Sequence, residues 1–515
     1  MSSTAASGAA GGGIRRSLLT LPRLAVIALV ASWVVLGCIL AYRAAGNGLD
    51  DFFISYRYSL NLADGKGFVF NPGERVFGLT NPGLALLLAL LRIASGRDVP
   101  QLATVVFAAA LVLLAALLMR AAAAAGRLAE AALAGTLLVS SSYLWAQQGG
   151  EGIPMLTLLV AAANLVEDLP VLAGLAAGLA VWFRPEAALG VAFLFVLLML
   201  ERRRIPWRFA AAATVTILLG VCWAWIYFGT PIPNSLAAKQ AMATGLTGSW
   251  SGSRFWLRAT RLVPRHAGPF WPLLVAMGVA GAWPLARWGG RSGRLVVFMA
   301  TVLAIFYPLT GVPFFPWYTI PAAVLVLYGI PYFTGALVRM SSNRIRTNWR
   351  RVLVGAVVGL LAWIPVAISL VPTSYSWLRH SGWFSYMERY KLAGLWLRQH
   401  SKPNATVAYY EVGALGYFSD RTIVDLLGIV TPDLLSYARA GDFANGFLAR
   451  PAEFAIFDQV RGGLMPIAEE WFKNSYDCVA RVGSGSEQLL IFHRRQLAVL
   501  PPPGSPRQRP PAKRT

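Results

Sequence analysis

Long apolar runs separated by short polar segments dominate residues 1–371 of this 515-residue chain. A transmembrane helix needs about 20 mostly apolar residues, and cytoplasmic loops carry an excess of Arg and Lys. Together the two rules predict an α-helical polytopic membrane protein. About eleven spans are expected, at 24–43, 101–119, 128–146, 154–167, 169–183, 187–200, 207–228, 270–286, 295–310, 319–338 and 352–371.

The arginines between the apolar runs decide the predicted orientation. Four of the five loops placed inside are Arg-rich, whereas the turn Glu167-Asp168 is acidic and does not fit the rule. The segment 84–93 is interpreted as a short helix at the outer surface, because a span there would invert every later loop. The predicted external loops are 44–100 and 230–269, within a membrane module of residues 23–371.

After Val371 the composition becomes that of a soluble domain. A helix is expected at 386–400, with strands at 406–412, 422–426, 454–457, 478–482 and 488–493. Residues 372–500 are therefore predicted to form a small extracytoplasmic α/β domain. The Ser/Ala/Gly-rich segment 1–22 is expected to be disordered in the cytoplasm, and 501–515 to be a disordered, basic, Pro-rich tail.

Composition supports a membrane protein, since 56% of residues are hydrophobic and only 13% are charged. The net charge of +23 comes mostly from Arg clusters between apolar runs, so it indicates topology and no nucleic-acid partner. The three cysteines imply no disulfide framework, and the four histidines have no metal-binding spacing. Nucleotide-binding motifs are lacking, so energy from nucleotide hydrolysis is not indicated.

Two adjacent carboxylates, Asp50 and Asp51, follow the first apolar run at the predicted outer membrane surface. Charges in or beside a bilayer are costly and tend to mark function. Neighbouring side chains point about 100° apart on a helix, so one carboxylate could act as a general base while the other caps a helix or orients a neighbour. The alternative is a helix N-cap with a solvated partner.

Glu151 lies on the same predicted face, in Gln147-Gln-Gly-Gly-Glu151. Its preceding glycines would permit close backbone approach to a ligand; the alternative is an acid in an interfacial loop. Basic residues on this face could bind a phosphate, although each could instead anchor lipid headgroups. These candidates are Arg57, Arg75, Arg184 and Lys239, with Asn234 close to Lys239 and Tyr318 as a ligand contact.

The order and spacing of these segments resemble the C-type (GT-C) membrane glycosyltransferases, which use polyprenyl-phosphate sugars. The likeness is greatest to the branch of actinobacterial arabinofuranosyltransferases. Gly149-Gly150-Glu151 replaces the more usual Ser-Gly-apolar-Glu, and Trp317-Tyr318 stands where Arg-Tyr is commoner. The matching segments are Asp50–Arg57, Gly65–Arg75, Thr80–Pro82, Gly150-Glu151, Arg184–Glu186, Pro233–Ser235 with Lys239, Gly413–Tyr417 and Val424–Gly428.

The resemblance implies that the first-loop acid is the catalytic base and that Glu151 helps to position substrate. The expected enzyme is an inverting glycosyltransferase of the bacterial plasma membrane. It would move a sugar, with arabinofuranose as one candidate, from a polyprenyl-phosphate donor to an envelope glycan, lipid or protein. The acids could hold a divalent metal ion as readily as act alone. A transporter and a non-catalytic glycan-binding protein are the alternatives.

Overall fold

The computed structural model describes residues 10–45, 48–245, 251–343, 348–379, 385–458, 465–483, 488–496 and 500–504. Within these ranges the chain forms helices and one small sheet. The helices of the membrane module are α1 Ala10–Ala44, α2 Asp50–Ala63, α3 Pro82–Ser95, α4 Val99–Ala123, α5 Leu128–Ser140, α6 Ser142–Trp145, α7 Gly152–Leu165, α8 Pro170–Phe183, α9 Ala187–Arg202, α10 Trp207–Phe228, α11 Asn234–Gly245, α12 Phe255–Leu262, α13 Pro264–Ala267, α14 Trp271–Ala280, α15 Ala282–Trp288, α16 Gly290–Leu309, α17 Ile320–Asn343 and α18 Asn348–Arg379.

Six helical segments among the described residues are long and apolar enough to cross a membrane. They are Arg23–Ala44, Val99–Ala123, Trp207–Phe228, Gly290–Leu309, Pro316–Ser342 and Leu353–Leu370. Other expected spans are shorter or broken. The span expected at 128–146 ends at Ser140, because the Ser141 side chain accepts a hydrogen bond from Leu144 N and starts a new helix. The count of eleven spans stays a prediction.

The start of α1 differs from the expectation. The helix begins at Ala10, within the segment predicted to be disordered, since the aliphatic residues between Ile14 and Leu21 can continue a helix. Residues 1–9 lie outside the described part of the chain, as do residues 505–515 of the predicted tail.

The acidic turn that did not fit the topology rule is neutralised by arginines. Glu167 pairs with Arg202 at 2.6 Å and also with Arg291. Arg291 in turn binds Glu201 at 2.6 Å, and Asp168 lies 3.9 Å from Arg120. The segments expected to share one membrane face therefore do meet at one end of the helix bundle, which we call the arginine end.

The opposite end of the bundle carries the segments predicted to be external. They include α2 and α3, and the expected loop 230–269 contains α11, α12 and α13. α4 connects the two ends, from Asp98 to Arg120. We call this second end the loop end.

A five-stranded sheet forms the C-terminal domain and packs on the loop end. Strands β1, β2 and β3 run parallel, whereas β5 pairs antiparallel with β3 and β4, giving the order β2-β1-β3-β5-β4. The small α/β domain predicted after Val371 is present, with each strand close to its expected place. Its elements are α19 Ser385–His400, β1 Thr406–Tyr409, α20 Gly413–Ser419, β2 Thr422–Asp425, α21 Leu435–Ala440, α22 Phe443–Ala449, β3 Phe454–Asp458, α23 Glu470–Ser475, β4 Tyr476–Val482 and β5 Leu489–Arg494.

Hydrogen bonds join this domain to residues 44–100, the first loop predicted to be external. Asn71 exchanges two bonds with the backbone of Ile423, at 2.9 and 3.0 Å. Tyr417 OH donates to Asp98 at 2.6 Å, and Lys66 pairs with Asp420 at 3.1 Å. The sheet domain is thus part of the surface that encloses the loop end.

Candidate active site

The two adjacent carboxylates of α2 face different surroundings. Leu49 occupies the N-cap position and no side chain caps the helix, so the alternative interpretation of the pair as an N-cap is wrong. Asp50 is buried, and its two oxygens accept hydrogen bonds from Gly413 N at 3.0 Å and Ala414 N at 2.8 Å. Asp51 is half-buried and lines a small cavity of about 40 Å³.

A glycine is required where α20 meets Asp50. A Cβ atom at Gly413 would lie 1.8 Å from the Asp50 carbonyl oxygen. Any other residue there would therefore push the C-terminal domain away from α2.

Glu151 lines the same small cavity as Asp51 and is held from two sides. Its Oε2 accepts a hydrogen bond from Asn81 Nδ2 at 2.9 Å, and its Oε1 pairs with Arg184 Nη1 at 2.5 Å. Asn81 Oδ1 accepts from Ser55 Oγ at 2.6 Å. A continuous network therefore links α2, the first loop, α7 and α8, which fixes the Glu151 carboxylate near Asp51.

The glycines before Glu151 make room for aromatic rings of α2. A Cβ at Gly150 would lie 2.5 Å from the Phe52 ring, and one at Gly149 2.2 Å from the Tyr56 hydroxyl. Gly149 also has a left-handed φ of 83°, and its carbonyl accepts from Tyr56 OH at 2.9 Å. The close approach predicted from these glycines is therefore made to α2, which brings Glu151 against the catalytic candidate helix.

Arg184 is enclosed by polar partners. Besides Glu151 it pairs with Glu186, and its Nη2 donates to Tyr307 OH at 3.0 Å. Its guanidinium carbon lies 5.4 Å from the centre of the Tyr318 ring. Arg184 thus bridges the carboxylates of Glu151 and Glu186 and holds both side chains in place.

Lys239, on α11, is the cation beside Asp51. Its Nζ lies 3.8 Å from Asp51 Oδ2 and 4.9 Å from the centre of the Phe315 ring. Burial lowers the pKa of Lys239, but Tyr318 and Asp51 outweigh the burial and raise this pKa above its ordinary value. Lys239 therefore stays a charged ammonium group at neutral pH.

A large apolar groove of about 890 Å³ adjoins the small cavity. Thr80 and Lys239 line both spaces, so they mark the junction. Tyr318, Arg184 and Glu186 form polar walls of the groove. The remaining walls are mostly apolar and include Trp182, Val221, Trp223, Leu236, Phe306 and Val312.

Three residues expected to contact substrate line neither the cavity nor the groove: Arg57, Arg75 and Asn234. Arg57 is buried and donates to three carbonyl oxygens, those of Phe70 at 2.7 Å, Arg421 at 2.6 Å and Gly416. Burial lowers the pKa of Arg57 to about 10, so it is still charged at neutral pH.

Asn234 donates to the carbonyls of Ile429 at 2.9 Å and Gly428 at 2.5 Å, and Arg75 is exposed above the Tyr227 ring. Arg57 and Asn234 thus join the membrane module to the C-terminal domain.

A third carboxylate, not singled out from the sequence, comes from the C-terminal domain. One oxygen each of Asp50, Asp51 and Glu411 lie within 4.8 Å of one another. Carboxylate oxygens are ligands that Mg²⁺ and Ca²⁺ prefer, so this donor set suits a divalent cation. The position of Glu411 just beyond β1 could have drawn attention to it, because side chains at the carboxyl ends of parallel strands often form sites.

The chain was compared with known families, curated proteins and solved structures. Residues 380–498 match the family described as Domain of unknown function (DUF8728). No curated protein matches the chain.

Among solved structures, ArnT from Cupriavidus metallidurans in the apo state aligns with a TM-score of 0.58 and 14% identity, over 92% of this chain and 98% of that chain. ArnT bound to undecaprenyl phosphate aligns with a TM-score of 0.57 and 15% identity, over 92% and 99% of the two chains. The archaeal oligosaccharyltransferase AglB from Archaeoglobus fulgidus, in complex with an inhibitory peptide and a dolichol-phosphate, gives 0.51 and 12% over 93% and 75%.

The chain has the GT-C fold. The expected class, a polytopic membrane protein with a small C-terminal sheet domain, is thereby confirmed. At these sequence identities the likeness establishes the fold alone. The arabinofuranosyltransferase branch stays a prediction.

Proposed function

We propose that the chain is a glycosyltransferase that takes a sugar from a polyprenyl-phosphate donor. One observation carries this proposal: a small cavity lined by the acids Asp51 and Glu151 adjoins a large apolar groove, with Lys239 lining both spaces. A groove of this kind suits a prenyl chain, and the cation at its end suits a phosphate. The GT-C fold of the chain supports the same assignment.

Asp51 is proposed as the general base. It removes the proton of an acceptor hydroxyl while that oxygen attacks the anomeric carbon of the donor sugar from the face opposite the phosphate. The bond between the anomeric carbon and the phosphate oxygen breaks, and its electron pair leaves with the polyprenyl phosphate. The configuration at the anomeric carbon is inverted.

Lys239 is proposed to bind the phosphate as negative charge builds up on it. It is charged and lies at the junction of cavity and groove. Glu151 and Tyr318 complete the substrate contacts, and Arg184 positions Glu151. The small cavity has room for a few water molecules and not for a sugar ring, so side chains at the junction must move when the donor binds.

A divalent metal ion would be held by one oxygen each of Asp50, Asp51 and Glu411, which leaves the second oxygen of Asp51 to take up the proton. Such an ion would supply positive charge that stabilises the developing negative charge of the leaving phosphate. Asp50 also accepts two backbone hydrogen bonds, so it serves the position of the C-terminal domain in any case.

The proposed location is the outer face of a bacterial plasma membrane, with arabinofuranose as the candidate sugar and an envelope glycan, lipid or protein as acceptor. The acids lie at the starts of α2 and α7, which favours chemistry near the membrane surface over the mid-membrane site of a transporter.

Mass analysis of envelope glycans tests this function. A deletion strain should lack one sugar linkage, and the wild-type gene should restore it. An unchanged set of glycans, with the polyprenyl-phosphate sugars also unchanged, would contradict glycosyl transfer.

A further inference from the structure

A buried serine of α11 points to a substrate contact in the same cavity. Ser235 is 4% exposed and lines the small cavity with Asp51, Glu151 and Lys239. Its hydroxyl oxygen has no hydrogen-bond partner among the residues that the structure describes. Buried hydroxyls nearly always have a partner, which leaves water or a ligand as the partner of Ser235.

The position of Ser235 is fixed from outside the cavity. The preceding residue, Asn234, donates its backbone N–H to Phe77 O at 2.7 Å and its side chain to the carbonyl of Ile429. α11 is therefore anchored both to the first loop and to the C-terminal domain. Because residues four apart share one face of a helix, Ser235 and Lys239 face the cavity together.

The two spaces that meet at Lys239 indicate which part of the donor Ser235 would contact. Lys239 and Thr80 line both the cavity and the apolar groove. Ser235 lines the cavity but not the groove. With the prenyl chain in the groove and the phosphate at Lys239, the group that enters the cavity is the sugar. A serine hydroxyl both donates and accepts hydrogen bonds, as a sugar hydroxyl does.

We propose that Ser235 Oγ hydrogen-bonds a hydroxyl group of the transferred sugar and so contributes to donor selection. This proposal rests on the proposed glycosyltransferase function. It differs from the role of Lys239, because Lys239 would recognise the bare carrier phosphate and Ser235 would recognise only a carrier that bears a sugar.

The test uses the full-length protein in nanodiscs and two probes. One probe is undecaprenyl phosphate, and the other is a pool of polyprenyl-phosphate sugars extracted from bacterial membranes. Binding and turnover are measured for wild type, Ser235→Ala and Ser235→Thr. Thr244→Ala is the matched control, since its hydroxyl lies on the exposed side of the same helix and bonds to Ala241 O.

Ser235→Ala should raise the apparent KM for the sugar-loaded pool about 5- to 10-fold, the effect of one lost hydrogen bond. Its affinity for undecaprenyl phosphate should stay within about twofold of wild type, which also shows that the variant is folded. Ser235→Thr, which keeps the hydroxyl, should recover most of the loss, and Thr244→Ala should behave as wild type.

Two results would overturn the assignment. An unchanged KM in Ser235→Ala would mean that the hydroxyl binds only water, and an equal loss of affinity for both probes would make it a phosphate contact. Failure of the proposed function is seen in wild type itself, as binding of the sugar-loaded pool no tighter than undecaprenyl phosphate and no turnover, and the Ser235 proposal then fails with it.

Discussion

The role of a charged side chain at the loop end depends on the groups that it contacts and not on its residue type alone. Asp50 and Asp51 are adjacent on α2, yet Asp50 binds two backbone N–H groups of the C-terminal domain while Asp51 faces the cavity. The cations Arg57 and Arg75 differ in the same way. Arg57 is buried against backbone carbonyls, whereas Arg75 is exposed.

Arg57→Ala should strongly destabilise the protein. The change removes three hydrogen bonds from a charged group to buried carbonyls, each worth about 1.5–3 kcal/mol. Arg75→Ala is the control and should cost less than about 1 kcal/mol, because its ring contact is exposed. Thermal unfolding in detergent measures both. Equal, small losses in the two variants would contradict the structural role of Arg57.

Asp425 should make the stability of the C-terminal domain depend on pH. Its carboxylate accepts bonds from Leu427 N and Val430 N within the loop that carries Ile429 to the cavity. Burial outweighs these bonds and raises the pKa of Asp425 to about 6. In the unfolded chain the pKa is about 3.9, so the folded state holds the proton more tightly. This favourable contribution is complete below pH about 4 and is lost as the pH rises through about 6.

The comparison with Asp425→Asn isolates this effect, since Asn cannot titrate. The Tm of wild type minus the Tm of the variant should fall as the pH rises from about 4.5 to 7. Parallel Tm curves across this range would show that Asp425 has no raised pKa.

The partners of Arg57 and Asn234 explain why the sequence did not reveal their roles. Each binds backbone carbonyls in a domain far away along the chain. Hydrophobic periodicity and local motifs carry no information on such contacts. The positive-inside rule predicted one membrane face for five other candidates, and the structure places these five around the junction of cavity and groove: Asp51, Glu151, Arg184, Lys239 and Tyr318. Their roles in substrate binding stay predictions.

The helix α11 contributes residues to the walls of both the cavity and the groove. It lies in a segment expected to be an external loop, and it presents Ser235 and Lys239 on one face. α11 was not predicted, and neither were the shorter helices α20, α21 and α22 of the C-terminal domain. Helices of about two turns, as in that domain, show too few periodic apolar positions to be recognised. The strands of the sheet, short runs rich in β-branched and aromatic residues, were predicted to within a few residues.

Lys239→Ala should weaken the use of the lipid donor more than that of the acceptor. Loss of a charged contact to phosphate corresponds to roughly 1.5–3 kcal/mol, or about 10- to 150-fold in the apparent KM for the donor. Arg208→Ala is a suitable control, because it removes an exposed cation at the start of α10. An unchanged donor KM in Lys239→Ala would place the phosphate site elsewhere.

The membrane module and the C-terminal domain enclose the cavity together. Ile429 of the domain lines the cavity, and Asn71, Tyr417 and Lys66 take part in the bonds that hold the two units together. The C-terminal domain therefore contributes to the wall of the candidate site. Its role could not be predicted from the sequence, because packing between distant segments leaves no local pattern.

Cysteine labelling tests the orientation of the whole chain. Single cysteines at Glu167 and Arg203 should react only from the cytoplasmic side, and those at Asp64 and Lys402 only from outside. The native cysteines, all three exposed and unpaired, must first be replaced. Labelling of Lys402 from the cytoplasm would reverse the proposed orientation.

The proposed role of Asp51 as the base that activates the acceptor is tested by the turnover of Asp51→Asn and Asp50→Asn. Both variants are compared with wild type in a reconstituted transfer assay, with donor binding measured in parallel. Asn keeps the size of Asp but removes its basicity, so Asp51→Asn should lose about 100-fold or more in turnover while still binding donor. Asp50→Asn should mainly lower stability. Full transfer by Asp51→Asn, with normal expression, would contradict the claim.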